Sequence, residues 1–144
     1  MTEVATHTKS TIMPALRYHD APAAMEWLCN VLGFERQAVY PGPDGMIAHA
    51  ELILNGGVVM LGSEREDEKA LRLKSPKALG NAETCTIYVV VPDADAVYKR
   101  AQEAGAAIVN PVEDTHYGSR EFVVKDLEGH TWSVGTYDPW VKQD

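Results

Sequence analysis

The chain has 144 residues, 45% of them apolar and 24% charged, with a formal net charge of -8. That size suits one compact domain, or two half-domains sharing a core, burying roughly two-thirds of the unfolded surface. The acidic balance argues against phosphate-backbone binding, which relies on clustered Lys and Arg, so no nucleic acid partner is expected, and a cationic or aromatic small ligand is compatible with the field.

Residues 1–10 are polar and lack an apolar stretch, and read as a flexible tail and not a signal peptide, which implies a cytoplasmic location. No later apolar run approaches the roughly 20 residues of a membrane span, so no membrane partner is expected. Ile12 to Tyr18 reads as a strand. Asp20 then stands as an N-cap with Pro22 in the first helical turn, and Ala24, Met25, Leu28, Val31 and Leu32 form an apolar stripe up to Gly33, a left-handed stop. Phe34 to Tyr40 is a strand closed by the turn residues 41–45, and Met46 to Leu54 and Gly57 to Gly62 form a hairpin about Asn55-Gly56.

Residues 63–82 are charged, contain Pro76 and Gly80, and read as a linker or loop with at most a helical turn; a solvated loop and a lid over a cleft are both open readings. The order then recurs: strand Thr84 to Val91, cap Asp93, a helix to Ala104 with Ala94, Val97, Ala101 and Ala104 on its buried stripe, stop Gly105, strand Ala106 to Val109, and a loop through Pro111. A closing hairpin follows, Arg120 to Lys125 and His130 to Tyr137 about the turn Asp126-Leu127-Glu128-Gly129. Asp20 and Asp93 lie 73 positions apart, as do Gly56 and Gly129, whereas Gly33 and Gly105 lie 72 apart. Each half therefore reads strand, helix, strand, strand, strand. The expected organisation is a module over 11–62, a linker over 63–82, a module over 83–137 and a tail over 138–144. Cys29 and Cys85 have neither paired spacing nor an adjacent base, and read as reduced filler.

The segments MPALRYHDAPAAMEWLCNVLGFE, HAELILNGGVVMLG and YGSREFVVKDLEGHTWSVGTY resemble the bleomycin-resistance and PhnB-like branch of the vicinal oxygen chelate superfamily, with glyoxalases and extradiol dioxygenases, over Ile12 to Tyr137. The resemblance implies an α+β fold of two tandem βαβββ modules forming a curved mixed sheet around a cleft, with helices outside. It also implies that metal-using members take one ligand from the first and one from the last strand of each half. Those positions fall on Met13, Met60, Thr86 and Ser133, none a good ligand for a divalent metal that prefers imidazole, carboxylate or thiolate. No cofactor is expected, with a divalent metal at a rearranged site as the alternative.

Alternation along the strands turns His49, Glu51 and Ile53 toward the cleft if Ala50, Leu52 and Leu54 meet the helices. The same reasoning turns Met13, Ala15, Arg17 and His19 inward, with Thr86 and Tyr88 opposite, and assigns Arg120, Phe122, Thr131 and Ser133 to the cleft while Trp132 and Val134 pack on helices. His49 and Glu51 read as a cleft wall, as a base with its steering carboxylate, or as two ligands of a displaced metal, although two residues at i, i+2 complete neither catalytic arrangement. Arg17 either clamps a carboxylate or phosphate of the ligand or pairs with Glu51 or Asp20. His130 reads as a strand-end residue, His116 and Tyr117 as residues of the cleft mouth, and Trp27 and Trp140 as interface or local packing residues.

The preferred expectation is a homodimer that binds or sequesters an aromatic or cationic small molecule through Arg17, His49, Glu51, Tyr88, Arg120, Phe122 and Ser133. A lyase, isomerase or dioxygenase built around His49 and Glu51, and a scaffold with a filled cleft, are the competing readings.

Overall fold

The computed structural model describes residues 9–67 and 72–141. Residues 1–8 of the expected tail, 68–71 of the expected linker and 142–144 lie outside the described residues.

The chain runs β1 (Ala15–Tyr18), α1 (Ala21–Trp27), β2 (Glu35–Pro41), β3 (Ile47–Leu54), β4 (Gly57–Ser63), β5 (Ile87–Val90), α2 (Ala94–Glu103), β6 (Ala107–Asp114), β7 (Arg120–Lys125) and β8 (Thr131–Gly135). These make two four-stranded mixed sheets, β1-β4-β3-β2 and β5-β8-β7-β6, each with one parallel pair at its first strand. The fold is α+β, a tandem of βαβββ units, as the repeat implies.

Both helices start alike. The Asp20 and Asp93 carboxylates accept the backbone N–H of Ala23 and Ala96 at 3.1 Å, satisfying a donor that the first turn leaves free. They end differently. After Trp27 the first helix widens into a π-helical turn, Leu28–Leu32, in which the Gly33 N–H reaches back to the Leu28 carbonyl with Gly33 at a φ of 90°. A π turn holds one residue more than an α turn, which explains why Gly33 and Gly105 depart from the 73-residue period. The expected loop at Pro111 is instead part of β6, which is longer than the strand read from the sequence. It is an edge strand with register shifts on both sides of Asn110, where a missing N–H is tolerated. Residues 76–79 form a 3-10 turn within the linker segment.

One core joins the two modules. Tyr18, Leu52 and Leu61 of the first sheet, Leu28 and Leu32 below α1, Val97 and Ala101 of α2, and Phe122, Val124, Trp132 and Val134 of the second sheet are all buried in it. The turn between β7 and β8 interlocks with the first module. Asp126 Oδ2 accepts from the Tyr18 hydroxyl at 2.6 Å and from Trp132 Nε1 at 3.0 Å, and its Oδ1 accepts the backbone N–H groups of Glu128 and His130. Glu128 accepts the N–H groups of His19 and Asp20 at 2.6 and 2.7 Å, where α1 begins. On the other side Arg100 Nε donates to the Val31 carbonyl at 3.1 Å, and Phe34 meets Trp132 edge-on at 5.8 Å. The helix-bearing faces of the two modules therefore pack together, and the opposite face of each sheet is left for the site.

Candidate functional site

On the first sheet the open face is set by the pairing of β3. Ala50 and Leu52 are buried, so His49 and Glu51 project the other way with their cross-strand partners Tyr40 and Ala38 on one side and Met60 on the other. His49 Nε2 lies 2.9 Å from Glu51 Oε2, both side chains half-exposed, and Tyr40, 57% exposed, tilts over the imidazole at a ring distance of 6.0 Å. Ala15 pairs with Met60, and Arg17 with Gly62. The Arg17 guanidinium lies across Gly62, where a Cβ would collide with Nη1 and come within 2.9 Å of the Ala48 carbonyl oxygen. Its Nη1 donates to the Ser63 carbonyl at 3.3 Å. Among the described residues Arg17 has no ion pair, so the bridge to Glu51 or Asp20 considered from the sequence is not formed, and the fork is available to an anion. A cavity of about 470 Å³ lies at one end of this sheet, lined by Gly42, Pro43, Met46, Ser63, Glu64 and Arg65 among others.

The second sheet repeats the design. Tyr88 pairs with Ser133, and Ser133 with Val123; Glu121 pairs with Gly135. Tyr88, Tyr117, Glu121, Ser133, Tyr137 and Pro139 line a cavity of about 440 Å³. The Tyr88 hydroxyl donates to the Tyr137 carbonyl at 2.7 Å, and the Tyr117 hydroxyl to the Glu121 carboxylate at 2.7 Å. Partial burial raises the Tyr88 phenol above its ordinary value; for Tyr117 the main cause of a rise is the hydrogen bond to Glu121. A Cβ at Gly135 would press on the Glu121 side chain and stand 2.7 Å from the Tyr88 hydroxyl, so this glycine makes room for both.

Two expected cleft residues are not on this face. Phe122, 1% exposed, pairs with Val134 and packs edge-on against Tyr98 of α2 at 5.1 Å. Arg120 shares its side, where it bonds Asp95 of α2 and Asp114 of β6. The error has a definite physical source. The extra residue in the π turn shifts β7 by one against β3, and the offset is recovered only in the longer turn between β7 and β8. Pairing across the sheet makes Glu121 the counterpart of His49, and Val123 the counterpart of Glu51. Cross-strand partners share a face, so Phe122 opposite Val134 could not join Ser133. The residues missed were Tyr40, Tyr137 and Glu121, and the signal for Glu121 was the 72-residue offset at Gly105.

Met60 and Ser133 occupy equivalent positions on the two open faces, and Met13 and Thr86, both exposed, precede β1 and β5. Two thioethers and two hydroxyls do not suit a catalytic divalent ion, and no group of three His, Cys, Asp or Glu able to hold one occurs among the described residues. His130 stacks edge-on with Tyr18 and bonds the Arg17 carbonyl, a packing role. Trp27 is buried in the core, and Trp140 is 90% exposed. Among the described residues no helix is long and apolar enough to cross a membrane. Neither cavity is lined by residues of both modules: the first is lined by the first module and residues 63–67, the second by the second module and Pro139.

The family described as Glyoxalase/Bleomycin resistance protein/Dioxygenase superfamily matches residues 7–134. An uncharacterized protein of Mycobacterium bovis is 35% identical over 132 residues, covering 92% of this chain and 86% of the relative. The solved structure of TioX from Micromonospora sp. ML1 is 34% identical, with a TM-score of 0.70 over 88% of this chain and 97% of that one. A superfamily member from Sphaerobacter thermophilus is 19% identical with a TM-score of 0.65, covering 92% and 97% of the two chains, which bears on the fold alone.

Proposed function

The chain belongs to the glyoxalase, bleomycin resistance protein and dioxygenase superfamily, and on that premise we propose that it binds an aromatic or cationic small molecule as a homodimer, without a divalent metal. The observation that carries this reading is the disposition of the two open faces. Each module presents half of a cleft, with Arg17, His49, Glu51, Met60 and Tyr40 on one half and Tyr88, Glu121, Ser133 and Tyr137 on the other. Within one chain the modules pack through their helix-bearing faces, so a second copy supplies the missing half. A two-fold axis that sets the first module of one copy against the second module of its partner closes two equivalent clefts at once. Exposed Tyr40, Met13 and Tyr88 are the kind of apolar surface that such an arrangement covers.

The mode of binding follows from the side chains. Aromatic rings offer stacking area, Glu51 and Glu121 favour positive charge, and Arg17 accepts an acidic substituent. The test is a thermal-shift screen of antibiotics, 2-oxo acids and catechols, with and without EDTA, combined with sedimentation at several concentrations. A dimer and hits that survive chelation support the reading; a monomer that binds nothing overturns it.

A second reading rests on the 2.9 Å contact between His49 and Glu51: an imidazole base oriented by a carboxylate, suited to moving a proton on a bound substrate. Loss of turnover in both His49→Ala and Glu51→Gln, with ligand affinity retained, would favour it over simple sequestration.

A further inference from the structure

We propose that the cavity of the second module is a subsite for an organic cation, an alkylated or aromatic ammonium group, held by the rings of Tyr88, Tyr117 and Tyr137 and by the Glu121 carboxylate. It rests on the reading of the cleft as a ligand site and names the ligand's chemistry.

Three observations carry it. First, three of the six lining residues are tyrosines, and the faces of aromatic rings attract a cation through their quadrupole. Tyr117 and Tyr137 meet edge-on at 6.0 Å with an interplanar angle of 84°, so their faces point in different directions around the space. Second, among the described residues Glu121 is the sole charged group in the lining, and no Lys or Arg lines the cavity. The nearest strand cation of β7 on the N-terminal side, Arg120, is turned to the opposite face and already held by Asp95 and Asp114. Third, two of the three tyrosine hydroxyls are occupied: Tyr88 donates to the Tyr137 carbonyl and Tyr117 to Glu121. These bonds fix the rings and leave the carboxylate with spare acceptor capacity, because an ionised carboxylate has about four lone-pair sites. A soft cation needs such faces and one counter-charge, and needs no strong donors.

Size selects further. The space holds about 440 Å³ and is wide open to solvent, which admits a ring system or a trimethylammonium group and leaves the remainder of a larger ligand to run toward the first-module face of a second copy. A small, strongly hydrated cation gains little from ring faces, so alkali ions are poor competitors.

The experiment is isothermal titration of the full chain at pH 8 with N-methylquinolinium and with quinoline, which is neutral there. The expected result is binding of the cation at least about tenfold tighter than its neutral counterpart. Glu121→Gln and Tyr117→Leu should each remove most of that preference. Glu103→Gln, an equal change of net charge at the exposed end of α2, should leave it intact, which separates a local subsite from the general acidic field. Unfolding midpoints of the variants within a few degrees of the parent show that the fold is kept. Equal affinity for the two probes, or a preference that survives Glu121→Gln, overturns the subsite and leaves the ligand-binding reading standing. Failure of both probes to bind overturns the subsite as well; it also removes the broader reading only if the thermal-shift screen returns no ligand.

Discussion

Replacing Asp126 with Ala removes one carboxylate from four donors at once. Two of them, the Tyr18 hydroxyl and Trp132 Nε1, belong to side chains that are 0% exposed, so neither can turn to water. The other two are the backbone N–H groups that shape the turn between β7 and β8. A buried donor left without a partner costs about 1–3 kcal/mol, and here two side-chain donors are left at once together with two backbone N–H groups. The expected loss for Asp126→Ala is therefore about 3–5 kcal/mol. Asp126→Asn keeps one oxygen and sets an amide donor against Trp132 or the backbone, for about 1–3 kcal/mol. Tyr18→Phe deletes one donor and leaves the carboxylate three others, for about 1 kcal/mol. Urea unfolding at pH 7 and fixed protein concentration reads the series through the fluorescence of the buried Trp27 and Trp132. Tyr18→Phe should also cost less in the Asp126→Asn background than alone, since the two share one bond. A loss under about 1 kcal/mol for Asp126→Ala would refute the view that this carboxylate ties the second hairpin to the first module.

Other expectations follow from the same geometry. Burial first, and then the Asp126 carboxylate, hold the Tyr18 phenol well above its ordinary value of 10.0. The unfolded chain thus gives up that proton before the folded one does, so this contribution to stability is complete below about pH 10 and is lost as pH rises through the folded value. Urea midpoints measured from pH 9 to 11 should fall less steeply for Tyr18→Phe. Gly62→Ala should cost about 1–3 kcal/mol, because Arg17 can move aside but the Ala48 carbonyl of the paired strand cannot; denaturant titration reads it directly. Gly135→Ala meets mainly the Glu121 and Tyr88 side chains, so it should weaken ligand binding more than it weakens the fold, as titration and thermal melts together would show. Arg17→Ala should lower affinity for ligands bearing a carboxylate or phosphate and leave affinity for uncharged aromatics unchanged, checked by calorimetry across matched pairs of ligands.

The parts of the fold that depend on short stretches of chain were legible in the sequence. Asp20 and Asp93 act where a capping side chain acts, Gly33 takes the left-handed conformation that only glycine adopts cheaply, and the Asn55-Gly56 turn leaves little choice of register for β3 and β4. The orientation of His49 and Glu51 was legible too, because Ala50 and Leu52 fix the buried side of a continuous strand. What was not legible depends on long-range pairing. The π turn at Leu28–Leu32 is supported by Arg100 from the other module, which takes the Val31 carbonyl. Its single extra residue reverses which side of β7 faces out, and with it the roles of Phe122, Arg120 and Glu121. The packing of the modules through their helix-bearing faces likewise arises from contacts more than 100 residues apart in sequence, such as Tyr18 with Asp126, which no local pattern encodes.

Native mass spectrometry of the purified full chain, before and after addition of a ligand found by screening, tests the central claim most directly. The expected spectrum is a dimer with no stoichiometric divalent metal, which takes up as many as two ligand molecules. A monomer that binds ligand by itself, or one divalent ion per chain that disappears in the His49→Ala, Glu51→Ala double variant, would contradict a metal-free cleft completed by a second copy.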